Sequence, residues 1–62
     1  MNLPLKLKII EKFGSQIRFA SVLGEDDAKI SKVLRGWKTL PLEEQIKWSD
    51  VLGCAVQDIF KR

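Results

Sequence analysis

The sequence contains no histidine and a single cysteine, Cys54, among its 62 residues. One cysteine cannot form an intramolecular disulfide, and without histidine its thiol has no imidazole base to activate it as a nucleophile. The sequence also lacks a glycine-rich phosphate loop and any recognisable spacing of metal ligands. These absences argue against an enzyme, a cofactor or a metal site. They favour packing as a small hydrophobic residue, rather than redox chemistry, as the role of Cys54.

Long hydrophobic runs are absent too. Lys6 and Lys8 interrupt the apolar residues near the start, so we expect no secretory signal, and no run approaches the about 20 residues that span a bilayer. No stretch rich in proline, glycine or serine marks a linker, and there is no internal repeat. We therefore expect a soluble, intracellular protein of the cytoplasm, with no membrane partner and no small-molecule ligand.

Apolar residues recur at intervals of three and four, which predicts helices, and no segment alternates as a strand does. A chain of this length has room for one domain, so the predicted fold is all-α: a compact bundle of five short helices in one domain over residues 1–62. Glycine is expected to end most helices, Ser15 to cap the second, and Asp26 or Asp27 to cap the third. The predicted helices cover about residues 4–13, 16–23, 27–34, 41–52 and 55–60.

The same periodicity predicts which side chains each helix buries. In the first two helices these are Leu5, Ile9, Ile10, Phe13, Ile17, Phe19, Ala20 and Leu23, and in the third Ile30, Val33 and Leu34. In the last two helices they are Leu42, Ile46, Ser49, Leu52, Val56, Ile59 and Phe60, with Val51 beside them.

The formal net charge of +3 is modest, but its distribution is uneven. An acidic cluster, Glu25 to Asp27, is followed by four basic residues with no acid among them: Lys29, Lys32, Arg35 and Lys38. Such a basic stretch is most often only a solvated helix face, and it points to a polyanionic partner when other features agree.

The spacing within residues 16–34 is typical of two helices that cross steeply. Ala20 is small where the helices approach, Gly24 supplies the turn, and Ile30 and Val33 place apolar side chains in the next helix. The pattern consists of Gln16, Phe19-Ala20, Leu23-Gly24, Ile30-Ser31-Lys32 and Arg35-Gly36, and it continues through Leu40-Pro41, Leu52-Gly53 and Ile59-Phe60. With these residues nearly the whole chain resembles the Cro and lambda-repressor-like (XRE-type) helix-turn-helix regulators, and most of all the short Cro-like proteins of phages and prophages. The resemblance implies a DNA-binding domain that controls transcription, with a recognition helix over about residues 27–34.

In that family the recognition helix presents its first turns to base edges, which implies that Asp27, Ala28, Lys29 and Lys32 read bases here. Lysine donates to guanine O6 and N7, and a small Ala28 allows close approach or contact with a thymine methyl group. Asp27 has two open roles, accepting from a cytosine amino group or capping the helix. The resemblance and the neighbouring positions imply DNA-backbone contacts by Gln16, Ser31, Arg35, Lys38 and Thr39.

The sequence departs from the family pattern in three ways. The acids of residues 25–27 replace apolar or neutral residues, Leu34 replaces a common acid, and Pro41 comes one residue late. A helix turning about 100° per residue, with Ile30, Val33 and Leu34 inward, leaves Ala28, Lys32 and Arg35 pointing outward, so the outward face is basic in spite of the acids.

The two tryptophans are expected near the core. Trp37 either packs on the DNA backbone or, as we slightly favour, covers the core, and Trp48 contacts the core or another subunit. The resemblance implies a homodimer, at least on DNA, that binds a pseudo-palindromic operator with half-sites about one helical turn apart. The predicted dimer surface comes from the last two helices and includes Trp48, Val56 and Phe60.

A second hypothesis keeps the fold and changes the partner. In this alternative the chain is a protein-interaction module, such as an antirepressor or partner-binding domain, and the acidic corner of residues 25–27 is its contact surface.

Overall fold

The computed structural model describes residues 1–60; the predicted domain also includes residues 61 and 62, which lie outside the described part. Within residues 1–60 the chain forms five α-helices and no strand. They are α1 (Leu3–Phe13), α2 (Gln16–Leu23), α3 (Asp27–Leu34), α4 (Leu42–Leu52) and α5 (Val56–Ile59). The all-helical prediction is confirmed, and each boundary lies within one residue of the predicted one. None of the helices described is long and apolar enough to cross a membrane.

Local capping explains why the boundaries follow from the sequence. The Ser15 side chain accepts the Arg18 backbone N–H at 3.2 Å, as predicted, and Asp26 rather than Asp27 caps α3 by accepting the Ala28 N–H at 3.2 Å. Gly24 ends α2 with φ of 72°, a left-handed conformation that residues with a side chain rarely adopt. These caps satisfy helix-end groups that would otherwise lack partners.

Asn2 closes the bundle by joining three helix ends. Its side chain caps α1 by accepting the Leu5 N–H at 3.1 Å and donates to the Ile59 carbonyl at 2.6 Å. Its backbone N–H donates to the Leu34 carbonyl, at 2.7 Å. The start of α1 is thereby fixed against the end of α3 and the end of α5.

An aromatic cluster lies at the centre of the core. Phe19 and Trp48 are both 0% exposed, and their rings meet edge to face with centroids 5.5 Å apart. Phe13 and Phe60 extend the cluster at 5.4 Å from Phe19 and 6.2 Å from Trp48. Apolar side chains from all five helices and Leu40 surround it: Leu5, Ile9, Ala20, Leu23, Ile30, Val33, Leu34, Leu52 and Ile59.

Four predicted core residues are instead exposed: Ile10, Ile17, Leu42 and Ile46. In α4 the reason is Trp48, whose large ring takes the inward position and turns the helix so that Gln45, Trp48, Ser49 and Leu52 face inward. Ser49 is tolerated in the core because its hydroxyl donates to the Gln45 carbonyl at 2.7 Å. Val56 and Phe60 are only half-buried.

Candidate nucleic-acid interface

Helix α3 has a buried side and an exposed side. Ile30, Val33 and Leu34 are buried against the core, as predicted. Ala28 and Lys32 are exposed and one helical turn apart, and Arg35 is exposed at the end of the helix. The predicted outward positions of these three residues are confirmed.

Each of the three acids before and at the start of α3 has a partner within the chain. Glu25 pairs with Lys29, Asp26 caps the helix, and the Asp27 carboxylate accepts a hydrogen bond from the Gln16 side chain. The three carboxylates therefore interact with donors of the chain itself. They also lie near the N-terminus of α3, where negative charge stabilises a helix.

Gln16 links α2 to α3. Its Nε2 group donates to Asp27 Oδ1 at 2.9 Å and to Ser31 Oγ at 2.7 Å, and the Asp27 carbonyl oxygen lies 3.4 Å away. Both Nε2 hydrogens are thus used within the chain. In this structure the Gln16 amide donor holds the first turns of α3 in place, and its predicted contact with the DNA backbone stays a prediction.

Lys29 forms two ion pairs within the chain. Its ammonium lies 2.6 Å from Glu44 Oε1 on α4 and 3.2 Å from Glu25 Oε2. The hydrogen bond to Glu44 is the main reason that the pKa of Lys29 is raised, and the same bond lowers the pKa of Glu44. Two carboxylates therefore hold the Lys29 ammonium, and the one from Glu44 connects α3 to α4.

The basic residues that follow Lys29 are more exposed to solvent. Within residues 1–60 none of Lys32, Arg35 and Lys38 forms an ion pair, and all three are exposed. Thr39 is also exposed and lies beside Lys38 in the segment between α3 and α4. Together they make the end of α3 and the following segment a basic surface.

Trp37 lies on this surface, and the preference for a core position is wrong. It is 72% exposed, and the Arg35 guanidinium lies over its ring at 5.2 Å from the centroid. This distance is within the range of a cation–π contact. The residue follows Gly36, which leaves the helix with φ of 81° and directs the chain away from α3.

Arg18 is a basic residue that the sequence prediction did not include. It is exposed in the first turn of α2, two residues after Gln16. Its only signal in the sequence was its place near a helix N-terminus, a position where phosphate groups are commonly bound.

The predicted dimer surface needs correction at Trp48. A side chain that is 0% exposed cannot contact a second subunit without unfolding its own core. Val56 and Phe60 are half-buried, and Phe60 packs against Trp48. Trp48 is fully buried because its large ring packs against Phe19 and Phe60 at the centre of the core.

Cys54 is half-buried and packs against the core, in keeping with the predicted packing role. Burial raises the pKa of its thiol, which disfavours the reactive thiolate. In the part of the chain that the structure describes, no group of three potential metal-ligating side chains comes together.

Comparison of the chain with protein-family models, with curated proteins and with solved structures gives no significant match in any of the three.

Proposed function

We propose that the protein binds double-stranded DNA as a transcriptional regulator, with α2 and α3 as a helix-turn-helix and α3 in the major groove. The observation that supports this most is the basic surface at the end of α3. Lys32, Arg35 and Lys38 are exposed and form no ion pair among residues 1–60, whereas Glu25, Asp26 and Asp27 are each engaged within the chain. A face of one sign presented by a short helix suits a polyanion.

The arrangement of α2 and α3 suits groove entry. The tight turn at Gly24 connects two helices of eight residues, and Phe19, Ala20 and Leu23 pack α2 into the same core as the buried side of α3. The Gln16 hydrogen bonds to Asp27 and Ser31 then fix the first turns of α3. A rigid helix of this kind can be placed in the major groove, which is wide enough for one α-helix.

In this proposal base reading falls mainly to Ala28 and Lys32. The Lys32 ammonium forms no ion pair within residues 1–60 and can donate to guanine O6 and N7, and Ala28 allows the backbone of α3 to approach the bases closely. Asp27 and Lys29 support the helix instead, through Gln16 and through Glu44. Contacts to phosphates come from Arg35, Lys38 and Thr39 and from the start of α2 with Arg18.

The operator is proposed to be pseudo-palindromic, since two copies that read equivalent half-sites about one helical turn apart bind more tightly than one.

The test is a salt titration of binding to a mixed-sequence DNA duplex and to sequences selected from a random pool. Log K should fall linearly with log salt, with a slope of about −0.9 for each phosphate neutralised. Lys32→Ala should weaken binding to the selected sequence about 5- to 150-fold, since a good base contact is worth about 1–3 kcal/mol.

Lys8→Ala on α1 removes one positive charge away from the proposed surface and serves as the matched control. Equal effects of Lys8→Ala and Lys32→Ala would show that only net charge matters. Binding that is undetectable, or insensitive to salt, would contradict DNA binding itself.

The alternative of a protein-interaction module on the acidic corner has less support. The carboxylates of Glu25, Asp26 and Asp27 each accept a hydrogen bond from within the chain, so part of their acceptor capacity is already used there. Lys32→Ala separates the two functions, because it should leave binding to a protein partner intact.

A further inference from the structure

The outer side of α1 carries an apolar stripe that no other part of the described chain covers. Leu3, Leu7 and Ile10 are 57%, 65% and 47% exposed, although Leu5 and Ile9 of the same helix are buried. Their spacing of four and then three residues places them in one line along the helix. The same spacing forms the seam between two helices of a coiled coil.

Charged residues of opposite sign flank this stripe. Lys6 lies on the side nearer the protein's own core, and Glu11 lies on the other side. If Leu3, Leu7 and Ile10 occupy heptad positions d, a and d, Lys6 occupies position g and Glu11 the following position e. Glu11 is 3.7 Å from Lys8, and its side chain is 75% exposed, so it remains accessible to a second partner.

We propose that α1 pairs in parallel with α1 of a second copy of this chain, through the stripe of Leu3, Leu7 and Ile10. In a parallel pair, position g of one helix faces the next position e of the other, so Lys6 meets Glu11 of the second copy, twice by symmetry. In an antiparallel pair, g faces g, and Lys6 would face Lys6 or Phe13 of the second copy. The charges therefore favour the parallel arrangement.

The side of α1 on which the rest of the domain packs leaves room for this pair. The buried residues Leu5 and Ile9 lie on the Lys6 side of the helix, about 145° around from the stripe. In a parallel twofold pair the Lys6 sides of the two helices point in opposite directions. The two domains consequently lie on opposite sides of the seam and do not compete for space.

The pair should be weak. Three apolar side chains and two exposed ion pairs are far less than the about 20–30 residues that each partner contributes to a standard interface. We therefore expect the free protein to associate only at high concentration. This surface is separate from the predicted one at Trp48, Val56 and Phe60, and it requires no DNA.

Sedimentation equilibrium of the DNA-free protein over a concentration series tests the proposal. The unmodified chain should approach the dimer mass at high concentration, and Leu7→Gln should stay monomeric. Leu42→Gln is the matched control, because Leu42 is a similarly exposed leucine on α4. Circular dichroism should show both variants folded, since neither side chain is in the core. A chain that is monomeric at every concentration, or a dimer that persists in Leu7→Gln, would overturn the proposal.

Charge exchange tests the parallel orientation. Lys6→Glu and Glu11→Lys should each weaken association about three- to tenfold, because each brings like charges together on both sides of the seam. The double variant with both changes should regain the original association. Single variants without effect, or a double variant no better than the single ones, would overturn the parallel pair.

Discussion

At the scale of single residues, Lys29 and Lys32 show how position on one helix separates the roles of two lysines. Lys32 is exposed with no ion pair among residues 1–60, whereas the Lys29 ammonium lies between Glu25 and Glu44. Lys29 is only one position from Ala28, but this rotation is enough to bring it within reach of α4. Its ion pairs fix the helix, and Lys32 remains available for a partner.

The pair of Lys29 and Glu44 should make stability depend on pH in the acidic range. Lys29 lowers the folded-state pKa of Glu44 below 4.5, so the pair stabilises the fold above that value, and the stabilisation is lost as pH falls through the lowered pKa. The raised pKa of Lys29 affects stability only near and above pH 10.5, so it does not change how stability varies at acidic pH. Thermal unfolding from neutral to acidic pH should therefore show a smaller loss of stability in Glu44→Gln than in the unmodified chain.

Glu43→Gln is the control for that measurement, because Glu43 is exposed in the same helical turn and forms no ion pair within residues 1–60. Parallel pH curves for Glu44→Gln and the unmodified chain would contradict the assigned role of the pair.

At the scale of elements, the turn between α2 and α3 depends on Gly24. Its φ of 72° lies in the left-handed region, and an ideal Cβ there would meet no atom within 4 Å. Gly24→Ala should therefore destabilise the protein by conformational strain and not by a clash, at about 1–2 kcal/mol.

Urea unfolding monitored by circular dichroism measures this change. Ser21→Ala, at an exposed position in the last turn of α2, should have little effect and serves as the control. A Gly24→Ala variant as stable as the unmodified chain would show that the turn can adopt another backbone conformation.

The helix boundaries were predictable because their signals are local. Ser15, Gly24 and the run before α3 act within a few residues, so the sequence alone places the ends of α2 and α3. Side-chain burial was less predictable. Ile17 and Ile46 fit an apolar pattern, but whether a neighbouring helix covers them depends on how Phe19 and Trp48 pack.

The candidate site also contains some positions that local geometry predicts and others that depend on the folded chain. The outward positions of Ala28, Lys32 and Arg35 follow from helical rotation alone. The position of Lys29 could not be predicted, because its main partner, Glu44, is fifteen residues away and approaches only in the folded chain. The exposure of Trp37 also depends on tertiary structure, since Gly36 and not the apolar pattern directs the chain after α3.

At the scale of the whole molecule, the aromatic cluster is the main source of core packing. Phe19→Ala should cost about 3–5 kcal/mol through lost burial and a residual cavity. Trp48→Phe should cost less, because it keeps an aromatic ring and removes the buried Nε1 group, which has no hydrogen-bond partner among residues 1–60. An unpaired buried donor costs about 1–3 kcal/mol, which offsets part of the lost packing.

Chemical denaturation of both variants gives the comparison. Ile17→Ala, at an exposed position, serves as the control that should change little. A Trp48→Phe variant that is destabilised as much as Phe19→Ala would contradict the argument for the unpaired Nε1 group.

The two tryptophans also give this protein two separate optical signals. Trp48 is sealed in the core, so its fluorescence should be blue-shifted, protected from acrylamide and sensitive only to unfolding. Trp37 is open to water beside Arg35, so its emission should be red-shifted, quenchable and sensitive to anything that covers the basic surface. A single emission spectrum can thus distinguish a ligand that covers the surface of the folded domain from one that opens the core.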